Sequence, residues 1–225
     1  MRPEVRVWKA DLDLWDGEDS WLERWVDDEE FQQSRRFVYL RDARRFLVRR
    51  AFRRWVLSRE LGVQPESLQW RCGPQGKPEL VGTPLQFNAS HSAGHALLAV
   101  SSAGPVGVDL QHHAPLGRDL MGVSQRFSPG EKWALNSFLH PESAGAFFAV
   151  WSRKEAVLKA AGTGLNRELH TFDVPVSLKA RPQWVFLNPE RTRWWLQTLS
   201  AGPDFSAALA SSHAVEVRYQ DWKIN

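Results

Sequence analysis

The stretch from Trp151 to Leu165 constrains the fold of this chain more than any other. Its sequence is WSRKEAVLKAAGTGL, in which eleven residues without glycine or proline precede Gly162. Such a run favours a helix, and glycine is typical of the position just after a helix end. Because a helix turns once every 3.6 residues, Trp151, Glu155 and Lys159 fall on one face. The pattern predicts a short helix that presents an indole, a carboxylate and an ammonium group side by side.

Spacing alone leaves two interpretations of this helix open. A Glu155–Lys159 pair on a solvated helix is common and stabilises the helix by only about 0.2–0.5 kcal/mol. Alternatively, the two charges belong to a functional site, followed by a glycine-containing turn at Gly162 and Gly164. Glycines there permit backbone conformations that are closed to other residues. The choice between the two interpretations depends on the rest of the chain.

Composition limits the class of protein. The chain has 225 residues, of which 43% are hydrophobic and 24% charged, as in soluble globular proteins of one large or two small domains. The single Cys72 excludes an internal disulfide framework and a multi-cysteine zinc site. No apolar run approaches the length of a membrane span, and the N-terminus lacks an apolar signal core. We therefore expect a cytoplasmic protein without membrane contact.

An arginine-rich segment between Arg35 and Arg59 contains ten arginines and one acid, Asp42. Apolar residues recur at four-residue steps and Gly62 ends the pattern, which together predict a helix. That apolar stripe contains Leu47, Ala51 and Trp55, and a second face carries Arg45, Arg49 and Arg53. Such a basic face is solvated, binds nucleic acid, or faces a partner with phosphates or carboxylates.

The middle of the chain predicts a hairpin. Two apolar strands within 85–100 are joined by a Ser90-His91-Ser92-Ala93-Gly94 turn, whose hydroxyl, imidazole and backbone donors suit a phosphate. A hydrolase pair of Ser90 and His91 is disfavoured, because adjacent strand residues point to opposite faces. Before the hairpin, Gly73 to Pro78 forms a turn, and after it Gly104-Pro105 breaks the chain.

Other elements follow from periodicity and capping residues. We predict an edge strand or two short extended pieces within 5–14, a helix from Trp21 capped by Asp19-Ser20, and a following helix with the acids at 27–30 in its first turn. Ser128, Pro129 and Glu131 predict a helix start. Strands are predicted at 106–111, 184–186, 193–199, 205–210 and 214–219, with the last three in an antiparallel meander.

Several motifs together resemble one family. Trp-x-x-Lys-Glu-Ala-x-x-Lys-x-x-Gly-x-Gly-Leu, from Trp151 to Leu165, resembles the C-terminal signature of 4′-phosphopantetheinyl transferases at all fifteen positions. Further elements resemble the same family in the same order along residues 35–165. They are Arg35-Arg36-Phe37 with Asp42-x-x-Arg45, Gly76-Lys77-Pro78, Phe87-Asn-x-Ser-His-Ser92, Gly107-Val108-Asp109 and the Phe127-x-x-x-Glu131 element.

This resemblance implies an α/β (α+β) fold of two similar subdomains, residues 1–104 and 105–225, related by a pseudo-twofold with the active site between them. The chain length is similar to that of the broad-specificity, surfactin-synthetase-activating type, which works as a monomer. The implied reaction moves the phosphopantetheine arm of coenzyme A to a serine of an apo acyl or peptidyl carrier protein and releases 3′,5′-ADP. Carriers of fatty-acid, polyketide, nonribosomal-peptide and siderophore synthesis are all compatible with the sequence.

The resemblance also assigns roles to residues. It implies Glu155, Lys159 and Asp109 as catalytic residues, with Mg²⁺, or Mn²⁺, on the two carboxylates. The residues that it implies for binding coenzyme A are Arg45, Lys77, Ser90 and His91, with Arg44 replacing Arg45 if the register shifts by one.

One position departs from the family pattern. Many members have glutamate two residues after the aspartate, and this chain has Gln111. An amide oxygen can still coordinate a metal, so we expect Gln111 to be a third, uncharged ligand and metal binding to be weaker or altered. Two alternatives stay open: a degenerate homologue that binds coenzyme A or a carrier without turnover, and a nucleic-acid-binding protein that uses the arginine helix.

Overall fold

The computed structural model describes residues 2–14, 22, 25–73, 75–113, 122–137, 142–164, 168–189 and 191–223, and it has a mixed α/β architecture. The helices are α1 (Asp28–Ser34), α2 (Leu40–Leu61), α3 (Pro129–Leu135) and α4 (Glu142–Ala161). The strands are β1 (Glu4–Asp11), β2 (Trp70–Cys72), β3 (Pro78–Leu80), β4 (Gln86–Ser92), β5 (His95–Ser101), β6 (Val106–His112), β7 (Gln183–Leu187), β8 (Thr192–Leu199), β9 (Phe205–Ser211) and β10 (Glu216–Asp221). No helix in these ranges is long and apolar enough to cross a membrane.

Two four-stranded sheets pack face to face between two long helices. The first sheet has the order β10-β1-β5-β4 and the second the order β6-β9-β8-β7, while β2 and β3 form a separate hairpin. Apolar side chains fill three layers: between α2 and the first sheet, between the two sheets, and between the second sheet and α4. The fold class predicted from the sequence is confirmed, whereas the pseudo-twofold and the subdomain boundary stay predictions.

Strand β1 is an inner strand, so its prediction as an edge strand was wrong. It pairs with β10 on one side and with β5 on the other. Val5 and Val7 pack between the sheets, whereas Trp8 and Ala10 pack under α2. Because both faces are buried, polar and apolar residues alternate only weakly, and that weak alternation is what suggested an edge.

The last strand also differs from the prediction. The antiparallel pairs β7–β8 and β8–β9 are present, but β10 leaves this sheet and runs parallel to β1, with Val217 opposite Val5. Val215, just before β10, is buried between the sheets. Period-two patterning identifies a strand but not its neighbour, which explains the error.

Helix ends follow the capping signals. Gly62 and Gly162 have φ values of 69° and 68° just after α2 and α4, the left-handed conformation that favours glycine. Ser128 accepts from the backbone N–H of Glu131 at 3.2 Å, and the Glu131 carboxylate accepts from the N–H of Ser128 at 2.9 Å. Asp27 caps α1 in the same way. The predicted Asp19-Ser20 cap and its helix start at Trp21 lie outside the described residues.

Candidate active site

Strand β6 and helix α4 approach each other closely at Gly107. A methyl group at this position would overlap the carbonyl oxygen of Ala156 and the backbone nitrogen of Ala160. Because side chains alternate along a strand, Asp109 lies on the same side of β6 as Gly107. Glycine therefore lets the helix lie directly on the strand, which brings Asp109 within reach of side chains on α4.

Polar side chains of β4 connect the two sheets. Every second residue of β4 accepts a hydrogen bond, at 2.9–3.1 Å, from every second backbone N–H of β6. The acceptor and donor residues pair as Asn88 with Val108, Ser90 with Leu110, and Ser92 with His112. Since buried N–H groups need acceptors, the Asn-x-Ser-x-Ser pattern has a structural cause at this junction. Ser90 also places its hydroxyl at the side chain of Asp109.

Asp109 is 1% exposed and is held by three donors. Its Oδ1 accepts from Lys159 Nζ at 2.5 Å and from Ser90 Oγ at 2.9 Å. Its Oδ2 accepts from Gln111 Nε2 at 2.8 Å. A buried carboxylate is tolerable only with such compensation. The Gln111 amide therefore presents its nitrogen, not its oxygen, to Asp109, and its predicted role as a metal ligand stays a prediction.

Glu155 lies one helical turn before Lys159 and remains incompletely satisfied. Within the described part of the chain, its buried Oε1 has no hydrogen-bond partner. Burial, and next the negative charge of Asp109, raise the pKa of Glu155 to about 7, and the positive charge of Lys159 partly opposes them. Two carboxylates that share one buried site resist simultaneous ionisation. The acidic pair of Asp109 and Glu155 thus has two carboxyl groups beside the single ammonium group of Lys159.

This donor set fits a divalent cation. Hard cations such as Mg²⁺ prefer carboxylate oxygens and complete their coordination with water or substrate phosphates. Within the described residues, the buried Oε1 of Glu155 has no partner and the pKa of its carboxyl group is raised, as expected of a carboxylate that can accept a cation. No group of three or more His, Cys, Asp or Glu residues that could hold a metal occurs among the described residues. Among these side chains, such an ion would have the two carboxylates of the acidic pair as ligands, with its other positions open to amide, water or substrate oxygens.

Trp151 has a different environment from Glu155 and Lys159, which were predicted to lie on the same helix face. Its ring centroid lies 6.3 Å from that of Phe127 and 6.3 Å from that of Phe147. The indole belongs to the apolar layer between α4 and the second sheet. The signature helix therefore presents charge to β6 and an aromatic side chain to the core. Leu165, the last residue of the signature, lies outside the described residues.

Two of the predicted phosphate-binding cations are engaged elsewhere. Arg45 Nε donates to Asp13 Oδ1 at 2.7 Å, which raises the pKa of Arg45 and lowers that of Asp13. Lys77 Nζ donates to the carbonyl oxygens of Val106 and Lys159, each at 3.0 Å. Burial lowers the pKa of Lys77. Lys77 thus links the start of β6 to the last turn of α4, where the helix dipole favours a cation.

His91 lies on the other face of β4 from Ser90, against helix α2. Arg49 Nη1 lies 2.7 Å from His91 Nδ1. Partial burial, followed by the positive charges of Arg49, Lys159 and Arg50 in that order, lowers the pKa of His91 to about 4. The ring is therefore neutral near pH 7, and the guanidinium beside it carries the positive charge.

Sequence reasoning missed two features near the site. The arginine face of α2 turns toward the β4–β5 hairpin, where Arg49 and Arg53 line a cavity; their four-residue spacing from Arg45 was the available signal. The second feature is a buried ion pair between Lys154 Nζ and Glu131 Oε1 at 2.9 Å. Lys154 belongs to the signature and Glu131 to the preceding motif, so both residues had been singled out. Their contact was not predicted because they lie 23 residues apart in the chain.

The chain is similar to known proteins over both of its halves. Residues 105–211 match the family model of the 4′-phosphopantetheinyl transferase superfamily, and residues 13–103 match that of the 4′-phosphopantetheinyl transferase N-terminal region. The chain is 32% identical over 198 residues to the 4′-phosphopantetheinyl transferase HetI of Nostoc, covering 83% of each protein. It is 29% identical over 193 residues to the 4′-phosphopantetheinyl transferase ffp of Bacillus subtilis, covering 85% of this chain and 84% of the relative.

A further relative is the 4′-phosphopantetheinyl transferase Sfp of Bacillus subtilis, which is 26% identical over 189 residues, covering 84% of this chain and 83% of the relative. The first model spans β6 and α4, which carry the acidic pair, and the second spans α2 and the β4–β5 hairpin. The protein is a transferase that belongs to the 4′-phosphopantetheinyl transferase family.

Proposed function

We propose that this protein transfers the 4′-phosphopantetheine arm of coenzyme A to a serine hydroxyl of an apo acyl or peptidyl carrier protein and releases 3′,5′-ADP. The observation that carries the proposal is the buried acidic pair of Asp109 and Glu155 with the Lys159 ammonium beside it. Family membership supports the transfer of a phosphopantetheinyl group. The similarity to Sfp over most of the chain supports the family assignment, and we propose that the protein is of the broad-specificity type and acts as a cytoplasmic monomer.

Asp109 and Glu155 would hold Mg²⁺, or Mn²⁺, with Gln111 at the edge of the site. When bound there, the cation supplies positive charge that neutralises the pyrophosphate of coenzyme A and the leaving nucleotide. Lys159 adds a point charge from the protein itself, since its ammonium already reaches Asp109 Oδ1 at 2.5 Å. The ammonium group of Lys159 would therefore contact the pyrophosphate directly. The two carboxylates would act on it only through the cation that they hold.

The proposed reaction is one displacement at phosphorus. The carrier's serine oxygen forms a bond to the phosphorus that bears the pantetheine arm, and the bond from that phosphorus to the bridging oxygen breaks. The electron pair leaves with 3′,5′-ADP, and the serine proton passes to Glu155, directly or through water. A carboxylate positioned at the attacking hydroxyl is suited to accept this proton.

The remaining predicted residues surround this centre in two ways. Ser90 lies beside the acidic pair and His91 lies on the other face of β4, against α2. We propose that both contact the phosphates of coenzyme A. Arg45 and Lys77 were predicted for the same task, yet Arg45 is paired with Asp13 and Lys77 with main-chain carbonyl oxygens. Their contacts favour a supporting role, in which they fix the hairpin and the end of α4.

Intact mass spectrometry of an apo carrier protein tests the proposal directly. After incubation with this protein, coenzyme A and Mg²⁺, we expect the carrier to gain one phosphopantetheine arm, and to gain none when EDTA is present. A carrier in which the acceptor serine is replaced by alanine is the matched control. Carrier proteins of several classes should be included, because the sequence does not identify which class is the substrate.

Absence of the mass gain on every carrier, while calorimetry still shows coenzyme A binding, would contradict the proposal. That result would favour a homologue that binds coenzyme A without turnover. Transfer that persists undiminished in EDTA would contradict the assigned role of the acidic pair.

A further inference from the structure

Four consecutive apolar residues are exposed on the surface where α2 begins. They are Phe37, Val38, Tyr39 and Leu40, and both Val38 and Leu40 are 89% exposed. Phe37 anchors this segment, since its ring centroid lies 5.5 Å from that of the buried Phe46. A contiguous exposed apolar patch of this kind marks a surface that a partner covers. Residues 37–40 are called the apolar patch below.

A groove of about 350 Å³ adjoins the apolar patch. The residues that line it are two leucines, three arginines and one aspartate: Leu12, Leu40, Arg41, Arg44, Arg45 and Asp13. Leu40 belongs to both the patch and the groove, so the two form one surface. A concave apolar site binds protruding side chains, which a folded protein presents and a flat membrane surface lacks.

Positive charge surrounds the patch and the groove. Two exposed arginines, Arg35 and Arg36, precede the patch in the chain, and the three arginines of the groove follow it. The carboxylates of the groove and of residues 35–45 are those of Asp13 and Asp42, and each accepts a hydrogen bond from an arginine of the groove. Two carboxylates thus balance only part of five arginines, which leaves a net positive surface that attracts an acidic partner.

Helix α2 adds to this charge because it begins inside the patch. Tyr39 is its N-cap residue and makes no side-chain hydrogen bond to the first turn. The first N–H groups of a helix carry positive partial charge and have no acceptor within the helix. A carboxylate of a partner that covers the patch would compensate them.

The groove is connected to the acidic pair through the turn between β4 and β5. The N–H of Leu12 donates to the carbonyl oxygen of Gly94 in this turn at 2.7 Å. Ser92, at the end of β4, accepts from the N–H of His112 at the end of β6 at 2.9 Å. Asp109 lies three residues earlier in β6. A partner in the groove would therefore lie next to the carboxyl end of the strand that carries Asp109.

We infer that the apolar patch and the groove form a docking surface for the carrier protein, which contacts them with an acidic surface that presents apolar side chains. This inference rests on the proposed function, because the carrier is the protein substrate of that reaction. A second copy of this chain fits the surface poorly, since arginines would face arginines. An anionic membrane matches the charge but not the concave shape of the groove.

Binding to apo carriers in which alanine replaces the acceptor serine tests the surface without turnover. Biolayer interferometry with one acyl and one peptidyl carrier measures the dissociation constant of each complex, and calorimetry measures that of coenzyme A. Val38→Ser combined with Leu40→Ser should raise the dissociation constant for the carrier about tenfold, as for lost interface contacts, and leave that for coenzyme A unchanged. Because both side chains are exposed, the double variant should fold like the wild type.

Matched variants separate the surface from general effects of composition and charge. Val63→Ser changes an exposed apolar residue just after the other end of α2 and should leave carrier affinity unchanged. Arg41→Glu reverses one charge of the groove and should slow association with the carrier about tenfold at low salt, with a smaller effect at high salt. Arg59→Glu, at an exposed position in the last turn of α2, is the control for this charge change.

A wild-type protein that binds neither carrier, or a double variant with unchanged carrier affinity, would overturn the inference. So would a double variant that loses binding to phosphatidylserine-containing vesicles, or loses self-association in sedimentation, while its carrier affinity stays the same. The mass-spectrometric assay separates the two proposals. Transfer by the double variant with an unaltered KM for the carrier contradicts the docking surface alone, whereas carrier binding without any transfer contradicts only the proposed reaction.

Discussion

Two lysines on helix α4, five residues apart, have opposite environments. Lys154 is 0% exposed, and its Nζ donates to Glu131 Oε1 at 2.9 Å and to the carbonyl oxygens of Leu169 and Phe172 at 2.7 and 2.6 Å. Lys159 is partly exposed and donates to Asp109, while the neighbouring Glu155 keeps an oxygen without a partner. The charges of the first cluster are matched within the protein, whereas the second cluster has two carboxyl groups and one ammonium group among the described residues.

The difference separates structural from functional charge. An ammonium group has three protons, and all three of Lys154 are used, so this cluster fixes α4 to the loop at 169–172 and leaves nothing for a ligand. The cluster around Lys159 contains two carboxylates with a raised pKa at Glu155. Perturbed and unsatisfied groups of this kind concentrate where ligands and catalysis are found. If burial were the only criterion, Lys154 would be chosen as the functional lysine instead of Lys159.

The largest effect is expected at the incomplete cluster. Glu155→Ala should lower the rate of phosphopantetheine transfer by about 10²–10⁴-fold, as for the loss of a general base, and should change the melting temperature little. Initial rates from intact mass spectra measure the first quantity and calorimetric melting the second. Glu168→Ala, at an exposed position, is the control. A variant at position 155 that retains the wild-type rate would refute the assignment.

At the complete cluster we expect a large loss of stability instead. Lys154→Met leaves the buried Glu131 carboxylate without its cation, and breaking a buried pair costs about 3–5 kcal/mol of unfolding free energy. Urea denaturation measures this cost, and the transfer rate per folded molecule should stay close to that of the wild type. Adding Glu131→Gln to the same variant should recover part of the stability. A stable but inactive Lys154→Met protein would show that the two clusters are not separate in function.

The smallest effect is a pH dependence of the metal-free protein. The pKa of Glu155 is about 7 in the folded state, above the ordinary value of 4.5 for a glutamate, so on raising the pH the unfolded state releases this proton before the folded state does. The free energy of unfolding should therefore fall as the pH rises from about 5 to about 8. Urea titrations in EDTA measure it, with Glu155→Gln as the control that should flatten this part of the profile. A rise with pH that depends on Glu155 would contradict the assigned environment.

Local signals in the sequence predicted the helices and their ends well. The stop at Gly62, the stop at Gly162 and the cap at Ser128 depend on a few adjacent residues, and all three occur in the structure. The meeting of Asp109, Glu155 and Lys159 was expected from family motifs, not from spacing. Gly107 gives the physical reason, since its missing side chain allows α4 to lie on β6.

Strand neighbours could not be predicted in the same way. The inner position of β1 and the transfer of β10 to the first sheet result from pairing between opposite ends of the chain. Period-two patterns show which face of a strand is buried but are silent about which strand lies beside it. Contacts between distant segments are equally hard to predict from sequence, so the ion pair between Asp13 and Arg45 was not foreseen.

The sequence by itself determined the local elements, the signature helix with its charged face, and membership of the transferase family. These follow from residues that are close in the chain or that form recognisable motifs. Only the tertiary structure decided which charges are satisfied: Lys154 by Glu131, Arg45 by Asp13, and Glu155 not fully by any described residue. The physical reason is that the cost of a buried charge depends on partners from distant segments, which only the folded chain brings together.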